Sequence, residues 1–129
     1  MESKHVSTHI DRPLEAVYGY ASDPANLPEW APGLLSSIER DGDHWIAESP
    51  MGRIKLVFTP RNEYGVLDHD VTTASGETFH NPMRLIPDGD GCELVFTVRR
   101  RPEMSDEDFE RDWNAVLEDL VAIKRIVER

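Results

Sequence analysis

Residues 105–129 read SDEDFERDWNAVLEDLVAIKRIVER, and the fold turns on how that stretch is read. Phe109, Trp113, Val116, Leu120, Ile123 and Val127 recur at steps of four, three, four, three and four. An α-helix brings such positions onto one face. Ser105 stands where an N-cap hydroxyl would accept from a free backbone amide. Asp106, Glu107 and Asp108 load the first turn, and Lys124, Arg125 and Arg129 load the end, so both ends complement the helix dipole. The spacing predicts a helix from 105 or 106 to about 127, roughly 33 Å long at about 1.5 Å per residue. A rod of that length, apolar along one seam, needs an apolar surface equally long to lie on.

The sequence upstream supplies one. PDGDG at 87–91 is a hairpin signal, and after it Cys92, Leu94, Phe96 and Val98 alternate with Glu93, Val95, Thr97 and Arg99. Further strands are read at 34–40 (LLSSIER), 44–49 (HWIAES), 53–59 (RIKLVFT), 66–74 (VLDHDVTTA) and 77–86 (ETFHNPMRLI), with turn chemistry between them. Ile54, Leu56 and Phe58 share a face of the third. At the start, Val6, Thr8 and Ile10 alternate with His5, Ser7 and His9. Pro13 then opens a short helix, LEAVYGYAS, with Asp11 or Arg12 ahead of its first turn. Pro24, Pro28 and Pro32 break the stretch YASDPANLPEWAPGLL at 20–35, where no long helix survives. The order strand, short helix or two, antiparallel strands, long helix predicts an α+β fold, its sheet of six to seven strands curved around the terminal helix.

The chain has 129 residues, of which 25 are acidic and 14 basic, for a formal net charge of −11. That field repels phosphate backbones and anionic lipid surfaces, so nucleic acid and membrane insertion are not expected. The segment MESKHVSTHIDRP has no apolar core of a leader, and no stretch reaches the roughly 20 apolar residues that span a bilayer. Cys92 is the only cysteine, which rules out an intrachain disulfide and a thiolate zinc cluster. The expectation is one domain over 1–129 in a cytoplasmic protein with neither cofactor nor metal; a homodimer stays open.

The segments VSTHIDRPLEAVYGYASDPANLPEWAPGL, PMRLIPDGDGCELVFTV and MSDEDFERDWNAVLEDLVAIKRIVE resemble the START-like (SRPBCC) superfamily, in its polyketide cyclase/dehydrase-like branch. The resemblance covers essentially the whole chain. It implies the helix-grip fold, with a pocket between curved sheet and long helix whose mouth lies near the short helices. It implies no shared catalytic motif, because members range from lipid carriers and hormone receptors to aromatase/cyclases. On that template NLPEW lies beside the pocket, where Trp30 would be lid, wall or plug.

His69 is the most informative polar residue, since Leu67, His69 and Val71 share one strand face. Turned inward, its imidazole would act as acid or base, or bind a ligand carbonyl; the alternative is a hydrogen-bonded core histidine. Asn81 shares a face with Phe79, Met83 and Leu85, where it would orient a ligand or satisfy a bulge before Pro82. A register shifted by one residue would instead turn His80 and Arg84 inward. The expected lining is Trp30, Tyr18, Phe58, His69, Asn81, Met83, Phe96, Phe109 and Trp113. Phe109 and Trp113 double as core residues of the helix seam. Asp88, Asp90 and Glu93 lack the spacing of a calcium loop, His5 and His9 read as solvated, and Arg99, Arg100 and Arg101 are expected to pair with acids of the terminal helix. Three functions follow: binding of a small hydrophobic or amphipathic molecule (lipid, polyketide or aromatic), a cyclase/dehydrase-like enzyme using His69, or an interaction module with an exposed patch at Leu27, Trp30 and Leu34.

Overall fold

A computed structural model describes residues 2–129. In chain order the elements are β1 (Ser3–Ile10), α1 (Leu14–Ala21), a 3-10 turn (Pro24–Asn26), α2 (Leu27–Trp30), β2 (Ser37–Asp41), β3 (His44–Ser49), β4 (Gly52–Phe58), β5 (His69–Thr72), β6 (Thr78–Asn81), β7 (Met83–Asp88), β8 (Gly91–Arg99) and α3 (Asp106–Val127). The seam forms as its spacing predicts. Ser105 Oγ accepts from the Asp108 amide at 3.1 Å, closing the first turn of α3. Phe109, Leu120, Ile123 and Val127 are buried, whereas Trp113 and Val116 between them are half-buried. The seam therefore loosens in the middle of the helix.

The strands form two antiparallel sheets, ordered β1-β8-β7 and β2-β3-β4-β5-β6. The stretch 77–86, expected as one strand, is two. Pro82 has no N–H for the ladder, so β6 pairs with β5 and β7 pairs with β8. This break makes eight strand segments where six or seven were expected. The sheets remain joined across it: Thr97 N donates to Pro82 O at 3.0 Å, and Leu67 N to Met83 O at 2.8 Å. Leu85 N also donates to Gly65 O at 2.9 Å. Gly65 has φ of 72°, and a Cβ there would lie 2.5 Å from Leu85 O, so both its backbone and the close strand approach require glycine.

The inner face carries the alternations read from the sequence. Val6 and Ile10 of β1 and Cys92, Leu94, Phe96 and Val98 of β8 are buried, together with Leu120 and Ile123 of α3. Cys92 is fully buried beside the start of α1, its thiol donating weakly to Arg12 O at 3.7 Å. Pro13 caps α1 by position, with Asp11 and Arg12 ahead of the first turn as expected, and offers no side-chain acceptor. Arg12 instead donates to Val127 O at 2.6 Å, and Lys124 donates to His9 O at 2.8 Å. These bonds supply a donor to the open end of α3 and tie it to the β1–α1 corner. No helix among the described residues is long and apolar enough to cross a membrane.

Candidate functional site

Where the seam loosens, a cavity of about 900 Å³ opens between α3, the α2 loop, β5, β6 and the end of β8. The strand register builds its floor. Phe58 pairs with His69 and His69 with Asn81, so all three stand on the inner face. His69 is 6% exposed and is the buried polar residue of the core among the described residues. Its Nδ1 lies 3.0 Å from Leu67 O. A carbonyl only accepts, so the proton sits on Nδ1 and the lone pair on Nε2. The ring stacks on Phe58 with centroids 4.9 Å apart and meets Phe96 edge-on at 6.0 Å. Nothing among the described residues bonds Nε2, and the residue lines the cavity. Burial holds the imidazole below its ordinary pKa against the opposing pull of the Leu67 carbonyl and Asp68, leaving a neutral base.

The neighbours of His69 in sequence face outward. Asp68 accepts from Arg84 Nε at 3.0 Å and Nη2 at 2.9 Å, and Asp70 lies 2.6 Å from His80 Nδ1. The register thus turns His69 and Asn81 inward, ties Arg84 outside, and leaves His80 exposed at the rim.

α3 contributes a face beside its seam: Asp112, Ala115, Val116, Asp119 and Ala122. Burial pushes the Asp119 carboxyl up to about 7, with Glu118 adding to the rise. Asp112 is raised by burial too, while Arg101 draws it the other way. Arg101 itself lies over the Phe79 ring at 4.4 Å and 3.5 Å from Glu103. Trp30 closes the opposite side; it is 3% exposed, and its Nε1 has no partner among the described residues. The proline-broken stretch therefore holds a tryptophan that is wall and seal together.

Of the expected lining, Trp30, His69, Asn81 and Phe96 border the cavity. Phe58 stands behind the His69 ring, and Met83 is sunk in the core below Pro82. Phe109 lies in the core under Lys4 and Arg100, at 5.3 and 5.7 Å, and half-buried Trp113 does not border the void. Tyr18 Oη accepts from Asn62 N at 2.9 Å beside a separate, smaller hollow, and Tyr20 is bonded to Glu29; neither hydroxyl reaches the cavity. Leu27 and Trp30 are buried and only Leu34 is half-exposed, so the expected exposed patch does not form. Of the basic run, Arg100 pairs with Asp106 of α3 at 2.6 Å as expected, whereas Arg101 pairs with Glu103 ahead of the helix. Sequence reading did not single out Asp112 and Asp119, and it named Arg101 only as an ion-pair partner for the terminal helix. The helical spacing 112, 115, 119, 122, one step round from the seam, was the available signal.

Seam, antiparallel sheets and the open-mouthed cavity between them define a helix-grip protein. Residues 1–127 match the family described as polyketide cyclase / dehydrase and lipid transport, and the chain belongs to that family. Among similar solved structures is an uncharacterized protein from Bacillus thuringiensis, at 15% identity and TM-score 0.78, covering 99% of this chain and 100% of that one. XoxI from Bacillus cereus aligns at 15% identity and TM-score 0.74, over 99% and 96% of the two chains. Truncated norcoclaurine synthase from Thalictrum flavum aligns at 17% identity and TM-score 0.68, over 98% and 92%. Such identities speak for the fold alone. No curated protein matches the sequence.

Proposed function

We propose that this protein binds a small, mainly hydrophobic molecule carrying a polar group in the cavity beneath α3. The observation that carries this reading is the void itself: about 900 Å³, bordered by Trp30, Phe79, Phe96, Val98 and Val116, with one free imidazole nitrogen at its floor. Apolar walls with few convergent polar groups are what small-molecule sites are made of. Family membership supports the reading. His69 Nε2 accepts a hydrogen bond from the guest, and Asn81 supplies an amide beside it.

N-phenyl-naphthylamine, an uncharged fluorescent probe, tests this. Saturable binding is expected, with loss in Ala122→Phe, which fills the cavity from α3; circular dichroism checks that the variant folds. Absence of saturable binding, or binding unchanged in the filled variant, would count against the site.

A second reading is favoured by the same nitrogen. A neutral imidazole facing the cavity can take a proton from a substrate, as a cyclase/dehydrase-like reaction requires. His69→Ala would then abolish turnover of a cyclising polyketide-type substrate while leaving the melting transition near that of the wild type.

A further inference from the structure

We infer that Asp119 is the counter-ion for a protonated amine on the guest, so that the cavity takes an amphipathic amine. This rests on the binding proposed above and names the class of molecule bound. The other charges at the cavity are paired, wet or, for half-buried Asp112, drawn by the nearby positive charges of Arg101 and Arg111. Arg101 is engaged by Glu103 and the Phe79 ring and lies near Asp112. Glu77, Glu103, Glu118, Arg99 and Arg125 are exposed at the rim, where water satisfies them. Asp119, half-buried in the wall beside Val116 and Ala122, has no counter-ion or hydrogen-bond donor among the described residues and no positive charge acting on it.

A purely apolar guest would strip water from that carboxylate and return nothing, which is costly for a charge leaving water. A carboxylate guest would meet like charge, inside a chain of net charge −11. An ammonium brings its own partner, and the charge-assisted hydrogen bond it forms is stronger than a neutral one. The second polar point is independent of the first. His69 is more than nine-tenths buried, its Nδ1 is spent on Leu67 O, and its Nε2 is an acceptor facing the same space. Both free groups therefore accept hydrogen bonds when Asp119 is ionised, and both ask the guest for donors.

Naphthylethylamine and naphthylethanol differ only in the group offered to Asp119. Titrated into the full chain at about pH 8, where the carboxyl is ionised, the amine should bind about tenfold or more tightly than the alcohol. Asp119→Asn should erase that preference without weakening the alcohol. Glu110→Gln, which removes one charge from an exposed position of α3 outside the cavity, should leave the preference intact. Equal binding of the two probes by the wild type would overturn the inference, as would a preference that survives in Asp119→Asn, since that would place it in the diffuse field of the chain. If neither probe binds, the cavity reading falls as well; if both bind equally, only the amine does. Urea melts of the variants confirm that each comparison is made on folded protein.

Discussion

Replacing Asp119 by asparagine should make the protein more stable, and only above acid pH. An unfolded chain ionises this carboxyl near 3.8, whereas burial in the cavity wall keeps it protonated up to about 7. Between those values the native state holds a proton that the unfolded state has released, so stability falls as pH rises through the window. The difference of about three pH units, at about 1.36 kcal/mol each, sets a ceiling of ~4 kcal/mol. Water reaching the cavity screens part of this, which leaves about 1–2 kcal/mol for the folded protein. Asparagine keeps the shape of the side chain and carries no charge to desolvate. Urea unfolding followed by tryptophan fluorescence would compare the two proteins at about pH 8 and about pH 4. The variant should gain about 1–2 kcal/mol at the higher pH and almost nothing at the lower. A variant no more stable at the higher pH, or equally favoured at both, would refute the argument that the carboxyl is lodged in a poorly solvated wall.

Two further expectations concern the sheet. His69→Phe should remove part of the protein's acid sensitivity: burial depresses the folded imidazole, so the unfolded chain takes up a proton first as pH falls through 6.5, and stability drops there. Made in the Asp119→Asn background, where the opposing carboxyl is silent, the variant should show a flatter stability profile between about pH 6.5 and about pH 5; an unchanged slope would mean that His69 is solvated. Gly65→Ala should cost about 2–3 kcal/mol, combining a left-handed backbone with a methyl pressed on Leu85 O, read as a lower urea midpoint. A loss under about 1 kcal/mol would show that the β7 edge yields easily.

The sequence carried the fold because its two periodicities are strong and mutually consistent. The seam of α3 and the alternation of β8 each stand out without tertiary knowledge, and one is the natural cover for the other. The Pro82 break was harder to see, because Phe79, Asn81, Met83 and Leu85 keep one alternation straight through it. Only pairing partners reveal that the strand changes sheets. The site was less legible for a related reason. Aromatics such as Phe58, Phe109 and Trp113 look alike whether they border a void or fill a core, and the difference depends on how far sheet and helix stand apart. Asp112 and Asp119 were hidden among the many acids of a solvated helix, since periodicity marks the greasy side and not its shoulder. His69 and Asn81 emerged because a polar residue on an apolar strand face is rare enough to notice.

Cys92 gives the molecule a built-in clock. Its sulfur sits at zero exposure where the first and last strands of one sheet meet the opening of α1, and burial together with Glu15 and Glu93 keeps it protonated and inert. A maleimide must wait for that corner to come apart before it can react. Labelling of this lone thiol therefore times the opening of that corner, and anything that favours the closed scaffold slows it without touching sulfur.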